Sequence, residues 1–196
     1  GILMDKNVLW YKNKRVEELS KVLLDKEYLI HCVESLEEGK ERIISLLNKD
    51  KTVALGDTWE LNTEEFIERL KECKFFNYME AGEKKEEIKR DSLTAEIAIL
   101  EGEFISEDGQ IVMVGDYNTS SALFGAENII ILLSENKIVK NLDIALDRVE
   151  KLKKYYKLKN EKLGNLNDGL SIGVIENGRK FNKRITLIFT LEDTGL

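Results

Sequence analysis

The 196-residue chain contains no proline, two cysteines and one histidine. Without proline the usual marker of linkers is missing, and no internal repeat or low-complexity segment takes its place. Cys32 and Cys73 lie far apart and form no Cys-x-x-Cys. Cys32 falls in the apolar run YLIHCV and Cys73 follows a helical pattern, so both read as buried thiols, not as a disulfide or metal ligands. His31, inside the same apolar run, reads as a structural residue and leaves no Ser/His/Asp triad to assemble. No apolar stretch approaches the roughly 20 residues of a membrane span. No signal-peptide pattern opens the chain, which starts at Gly1 as if processed. These absences make a cytoplasmic protein the expectation.

Clustered positive charge is lacking as well. The chain carries 30 Lys and Arg against 37 Asp and Glu, a net charge of -7. Phosphate backbones need a concentrated basic field, so nucleic acid is excluded as the expected partner. The one basic tract, KLKKYYKLKNEKL (151–163), reads as the solvated end of a helix and its loop.

What is present is alternation. Helical spacing appears at 8–24, an apolar strand at 28–33, and a second helix follows with Leu36, Ile43, Ile44 and Leu47 on one face. TVAL (52–55) is a strand closed by Gly56. Asn62 is placed to cap the next helix, with Glu65 completing a capping box and Leu61 stapling onto Phe66. KFFNYM reads as a strand, 82–94 as a helix and AEIAIL as a strand. EFISEDGQIVMV then carries a hairpin signal at Asp108-Gly109. A short helix near 119–125, the strand NIIILL, a helix from Leu142, an irregular polar stretch at 157–183 and the strand RITLIFTL complete the pattern. Continuous apolar strands alternating with helices predict an α/β fold with a mostly parallel or mixed sheet flanked by helices, carrying a β-hairpin insertion. Residues 1–50 are expected to form a helix-and-strand segment packed on a main α/β domain at 51–196.

In such sheets ligands gather outside the carboxyl ends of the strands. Asn136 and Lys137 follow the strand NIIILL, and Lys137 is placed to meet an anion; a turn with a solvated lysine fits the same residues. Gly56-Asp57-Thr58 follows TVAL and offers backbone amides, a hydroxyl and a carboxylate, but is too short for a phosphate loop. Glu101, Glu103, Glu107, Asp108 and Asp116 crowd the hairpin, where turn chemistry and an exposed ribbon account for them better than a metal. Glu192 follows the last strand and reaches the same rim if the two strands are neighbours.

The segments TAEIAI, FISEDGQIV, DYNTSSALFG, NIIILLSENKIVKNLDIALDRV and RITLIFTLEDTG, with TVALGDTWEL before them, resemble the lactate-utilisation (LUD) domain family in its protein C branch. The resemblance implies a fold like that of NagB, RpiA and the CoA transferases, and a bacterial or archaeal cytoplasmic protein. It also implies a relation to L-lactate oxidation beside iron–sulfur or oxidoreductase protein partners. Departures are visible. The cysteine-rich segment before the last strand is replaced by residues 159–184 without cysteine, leaving no iron–sulfur ligands. The family's Gly-Asn-Arg appears as Tyr117-Asn118-Thr119, without the arginine suited to a carboxylate. Its Gly-Gly-Ser loop has become Gly56-Asp57-Thr58.

The expected function is a divergent member binding a small anionic metabolite at the strand ends. Gly56, Asp57, Thr58, Asn118, Asn136 and Lys137 are the expected ligand contacts. Glu192 is the candidate catalytic carboxylate, by analogy with the wider fold. The alternative is a non-catalytic accessory subunit or scaffold of a redox complex. An acyl- or phosphosugar-processing enzyme rests on fold analogy alone. No residue pattern names a cofactor, a metal site or an oligomeric state.

Overall fold

The computed structural model describes residues 4–164, 170–179 and 184–196. In chain order the described residues form α1 (Lys6–Asp25), β1 (Leu29–Val33), α2 (Leu36–Ser45), β2 (Thr52–Leu55), α3 (Glu64–Leu70) and β3 (Lys74–Phe75). Next come α4 (Lys85–Ser92), β4 (Ile97–Glu101), β5 (Phe104–Ser106), β6 (Ile111–Val114), α5 (Asp116–Ser120) and β7 (Asn128–Ser134). The chain closes with β8 (Ile138–Val139), α6 (Leu142–Lys151), α7 (Lys153–Lys162), β9 (Ile172–Ile175) and β10 (Ile185–Thr190).

The main sheet has six strands in the order β1-β10-β7-β4-β2-β3, every neighbouring pair parallel. Its central strand β7 is apolar along almost its whole length because both faces are covered. Ile129, Ile131 and Leu133 join Val16, Leu19 and Leu23 of α1 on one side. Ile130 and Leu132 join Ile43 of α2 with Phe66 and Leu70 of α3 on the other. Each such fully buried aliphatic side chain contributes about 1.5–3 kcal/mol.

The expected hairpin is formed by β5 and β6, paired antiparallel. β5 and β6 belong to a second sheet of order β8-β5-β6-β9. Ile105, Ile111 and Met113 of this sheet face the main core. Phe104, Val112 and Val114 face the opposite way, against Ala145 and Val149 of α6 and Tyr156 of α7. The small sheet is thus a buried layer between the main sheet and the last two helices. Arg184 is buried where these layers meet the π-helix at Ser121–Gly125, donating to the carbonyl oxygens of Ser121, Ala122 and Ala126 at 2.9, 2.6 and 2.7 Å.

Several local expectations are corrected. The basic tract at 151–163 is largely a helix of its own, α7, and 172–175 is strand β9, so much of the stretch read as irregular is ordered. Its amphipathic signal was weak because α7 buries only Tyr156. The irregular reading of 165–169 and 180–183, like Gly1, lies outside the described residues. Thr63, not Asn62, caps α3, its hydroxyl accepting from the Phe66 amide at 3.3 Å. Only Lys74 and Phe75 of KFFNYM pair as strand. Cys32 is exposed and Cys73 half-buried; β1 is an edge strand, which leaves the Cys32 side chain uncovered. His31 meets Arg42, Nδ1 to Nη1 2.9 Å, and burial lowers its pKa, assisted by Arg42.

Candidate functional site

β2, β4, β7 and β10 all end on one rim of the main sheet. After β2, Gly56 lies directly beneath Asn118, and a Cβ there would collide with Asn118 Oδ1 and with the Leu100 side chain. The next residue is locked to α5. The Asp57 amide donates to Asn118 Oδ1 at 3.0 Å, while Asn118 Nδ2 donates to the Asp57 and Val114 carbonyls at 3.3 and 3.1 Å. Asp57 Oδ2 accepts from the Tyr117 amide at 2.9 Å, and Oδ1 lies 3.6 Å from Lys89 Nζ. Gly56, Asp57 and Asn118 therefore meet, and the amide group of Asn118 is shared between Asp57 in the loop and Val114 at the end of β6. The buried Thr58 hydroxyl makes no hydrogen bond among the described residues.

β4 ends at Glu101, whose two oxygens accept from the Trp59 and Leu61 amides at 2.8 and 2.9 Å. Burial pushes this carboxyl above the usual range, opposed by Lys159 and by the two amides. Glu103 forms an ion pair with Lys137 at 3.6 Å. The Tyr156 hydroxyl lies beside Glu103 without good hydrogen-bond geometry. Asp57, Glu101, Glu103, Asn118, Tyr156 and Lys159 enclose a hollow of about 20 Å³. A larger open cleft of about 480 Å³ adjoins it along α4 and α5, lined by Lys89, Arg90, Asp116, Tyr117 and Ser120.

After β7, Asn136 and Lys137 turn toward the last residues of the chain. Ser134 Oγ is hydrogen-bonded to Asn136 Oδ1 at 2.5 Å and to Thr194 Oγ1 at 2.7 Å. Asn136 Nδ2 donates to the Thr194 carbonyl at 2.9 Å, and its Oδ1 accepts from the Thr194 amide at 3.2 Å. Lys137, only 5% exposed, donates from Nζ to the Leu196 backbone oxygen at 3.1 Å. Desolvation lowers its pKa; Glu103 opposes the shift, and Arg148 and Lys159 reinforce it. Glu135 is buried and joins the rim to α1 through Arg15 at 2.5 Å and Lys12 at 3.8 Å. Glu192 lies elsewhere: its Oε2 accepts from the Leu36 amide at 2.8 Å at the start of α2, on the β1 side of the rim.

Glu103, Tyr156, Lys159 and Arg148 were not expected as site residues. The rule that singled out Lys137, a polar group just past a buried strand, applies equally to Glu103. Tyr156 and Lys159 escaped because α7 was not recognised. The five acids at the hairpin separate: Glu101 and Glu103 turn to the rim, Glu107 and Asp108 are exposed, and Asp116 accepts from the Ser171 hydroxyl at 2.5 Å. Among the described residues no group of three or more His, Cys, Asp or Glu is arranged to hold a metal ion. Cys32 on β1 and Cys73 before β3 stand at opposite edges of the main sheet, so they cannot share an iron–sulfur cluster. No helix among the described residues is long and apolar enough to cross a membrane.

A search of curated proteins finds no match. The crystal structure of a DUF162 family protein from Deinococcus radiodurans is similar in fold, with a TM-score of 0.57 at 12% identity, covering 91% of this chain and 98% of that one. The LUD domain model matches residues 16–189, from within α1 to the penultimate residue of β10. With that match across both sheets and the fold shared with the DUF162 protein, the chain belongs to the LUD domain family.

Proposed function

We propose that the protein binds a small anionic metabolite at the carboxyl rim of its main sheet, in a role related to lactate utilisation through its family. The observation that carries this reading is Lys137. A cation that is nearly fully buried at strand ends, with Arg148 and Lys159 close enough to depress its pKa further, forms a compact positive field suited to an anion. Glu103 holds the ammonium in place at 3.6 Å. Asn136 sits beside it, while Gly56, Asp57, Thr58 and Asn118 supply the neighbouring loop. Glu192 is kept at the far side of the rim as the carboxylate for a ligand long enough to span it. No metal or cofactor step enters this reading.

Lys137→Ala is expected to leave the fold intact and to abolish thermal stabilisation by small carboxylates and phosphate. Native mass spectrometry of the purified protein reports any retained metabolite at the same time. Stabilisation that survives the substitution unchanged refutes the reading.

A second reading, an accessory subunit of a redox complex, is favoured by α1, where Val8, Trp10 and Tyr11 are 46%, 63% and 60% exposed. Large apolar residues exposed together mark docking surfaces. A pull-down from the native host that recovers oxidoreductase or iron–sulfur proteins with the parent chain but not with Trp10→Ala supports it; equal recovery with both removes it.

A further inference from the structure

The two edges of the main sheet differ. β3 has two residues, one of them Lys74, and a short, charged edge resists pairing with another chain. β1 has five, LIHCV, with no lysine, acid or proline among them. Its outward backbone groups follow from its inward ones. The Leu191 amide donates to the Val33 carbonyl at 3.0 Å, so Val33 faces β10. Alternation along the strand turns Leu29 and His31 the same way, and Ile30 and Cys32 outward. Beyond these two the edge closes. The Tyr28 amide donates to the Leu23 carbonyl at 3.1 Å, and the Glu34 amide to Glu38 Oε2 at 3.2 Å. Ile30 and Cys32 therefore leave two N–H and two C=O groups without a protein partner among the described residues.

Groups at this spacing are satisfied by the same strand reversed. With two copies antiparallel about a twofold axis through His31, Ile30 of each faces Cys32 of the other, and all the free groups pair. Leu29 then faces Val33 and His31 its own counterpart, so no charges are opposed along the strand. An axis through Ile30 or Cys32 instead sets the engaged amide of Tyr28 or Glu34 against a free carbonyl, which stays unpaired. The two histidines meet without repulsion. Arg42 Nη1, 2.9 Å from His31 Nδ1, can only donate, so the ring accepts there and is uncharged. On the α1 side, Trp10, 63% exposed, lines a cleft of about 650 Å³ together with Cys32. Ile30 of the second copy, opposite Cys32, enters this cleft and covers the indole.

We propose that the protein forms a twofold dimer by antiparallel pairing of β1 with β1 of a second copy, which joins the two main sheets into one. The occupant of the edge is a second copy because its free backbone groups, its apolar residues and its lack of charge are all matched by its own reversal. A contact of this kind uses one patch on both chains and closes on itself. The inference draws on neither Lys137 nor the rim, so it stands apart from the ligand-binding reading above.

Sedimentation velocity over a concentration series of the full chain is expected to show a species of twice 22.6 kDa that grows with concentration. Cys32→Lys charges an exposed edge position and is expected to leave only monomer. On a Cys32→Ser/Cys73→Ser background, His31→Cys puts two thiols on the axis, in a non-hydrogen-bonded pair with Cα atoms about 4.5 Å apart. That lies within disulfide reach, and mild oxidation should link most chains into dimers. Leu29→Cys on the same background sets its thiol about 13 Å along the strand from its symmetry mate and should not link. A parent that stays monomeric at every concentration overturns the proposal, as does a dimer that survives Cys32→Lys. Cross-linking of Leu29→Cys as readily as His31→Cys overturns the axis at His31. If Cys32→Lys does not fold, the cross-links decide, and a His31→Cys chain left monomeric after oxidation is equally fatal.

Discussion

Asn118→Ala isolates the loop that shapes the rim. The Asn118 side chain is 2% exposed and makes three hydrogen bonds, one from the Asp57 amide and two to the carbonyls of Asp57 and Val114. Each contributes about 1 kcal/mol net, so truncation is expected to cost roughly 3 kcal/mol. Asp57 in turn holds the Tyr117 amide and Lys89, so the loss extends into α5. At about 2–4 °C per kcal/mol for a chain of this size, the melting temperature should fall by roughly 6–12 °C. Scanning calorimetry or circular dichroism measures it, provided the transition is cooperative. Asn118→Asp sharpens the test. It keeps the acceptor for the Asp57 amide but turns a carboxylate toward two carbonyl oxygens and the Asp57 side chain. That carboxyl has a folded pKa above its unfolded value of about 3.9, so stability is present below that value and lost as pH rises through the folded pKa. A fall of less than about 2 °C for Asn118→Ala, or a pH-independent Asn118→Asp, would show that this side chain does not hold the loop.

Other expectations follow from the same reasoning. Arg184→Ala leaves the carbonyls of Ser121, Ala122 and Ala126 without this donor and opens a buried space; the loss should be at least about 3 kcal/mol in urea unfolding, with Arg184→Lys recovering only part. Lys137 supplies a pH signature, since its folded pKa is lowered, chiefly by burial. The unfolded chain then binds the extra proton between that lowered value and about 10.4, so this group makes stability rise with pH across the window. The stability difference between the parent and Lys137→Met should carry that slope, and a flat difference from pH 7 to 10 refutes it. Ile131, fully buried in the central strand, should cost about 2–5 kcal/mol when cut to Ala, with little effect on anion binding per folded molecule.

The main sheet was legible because its strands are continuous apolar runs, and β2 and β7 fall where TVAL and NIIILL stand. Two-sided burial writes itself into sequence as the loss of alternation. Of the second sheet only the β5–β6 hairpin was legible, from its Asp108-Gly109 turn; β8 has only two residues and β9 only four, too short for a period to show. α7 was hidden for another reason, since a helix burying one tyrosine among lysines looks like a solvated run. At the rim, the loop-after-strand rule put Gly56 and Asp57 past the end of β2 and Lys137 past the end of β7, where they lie. It could not tell that Asn118 would spend its amide on the loop, or that Glu192 would turn to Leu36, because both depend on which loop lies across the rim. Cys32 was misplaced because an apolar strand at a sheet edge has the same residues as one at the centre.

The position of β10 has a consequence for biosynthesis. It lies between β1 and β7, so among the described strands β1 has none to pair with until β10 has left the ribosome. With Leu29 matched to Thr186, and translation at roughly 5–20 residues per second, the first strand waits on the order of 10–30 s. During that interval the nascent chain presents two unpaired apolar edges, one on β1 and one on β7. Chaperone demand should therefore persist until residues 185–190 have emerged and β10 can fill the gap.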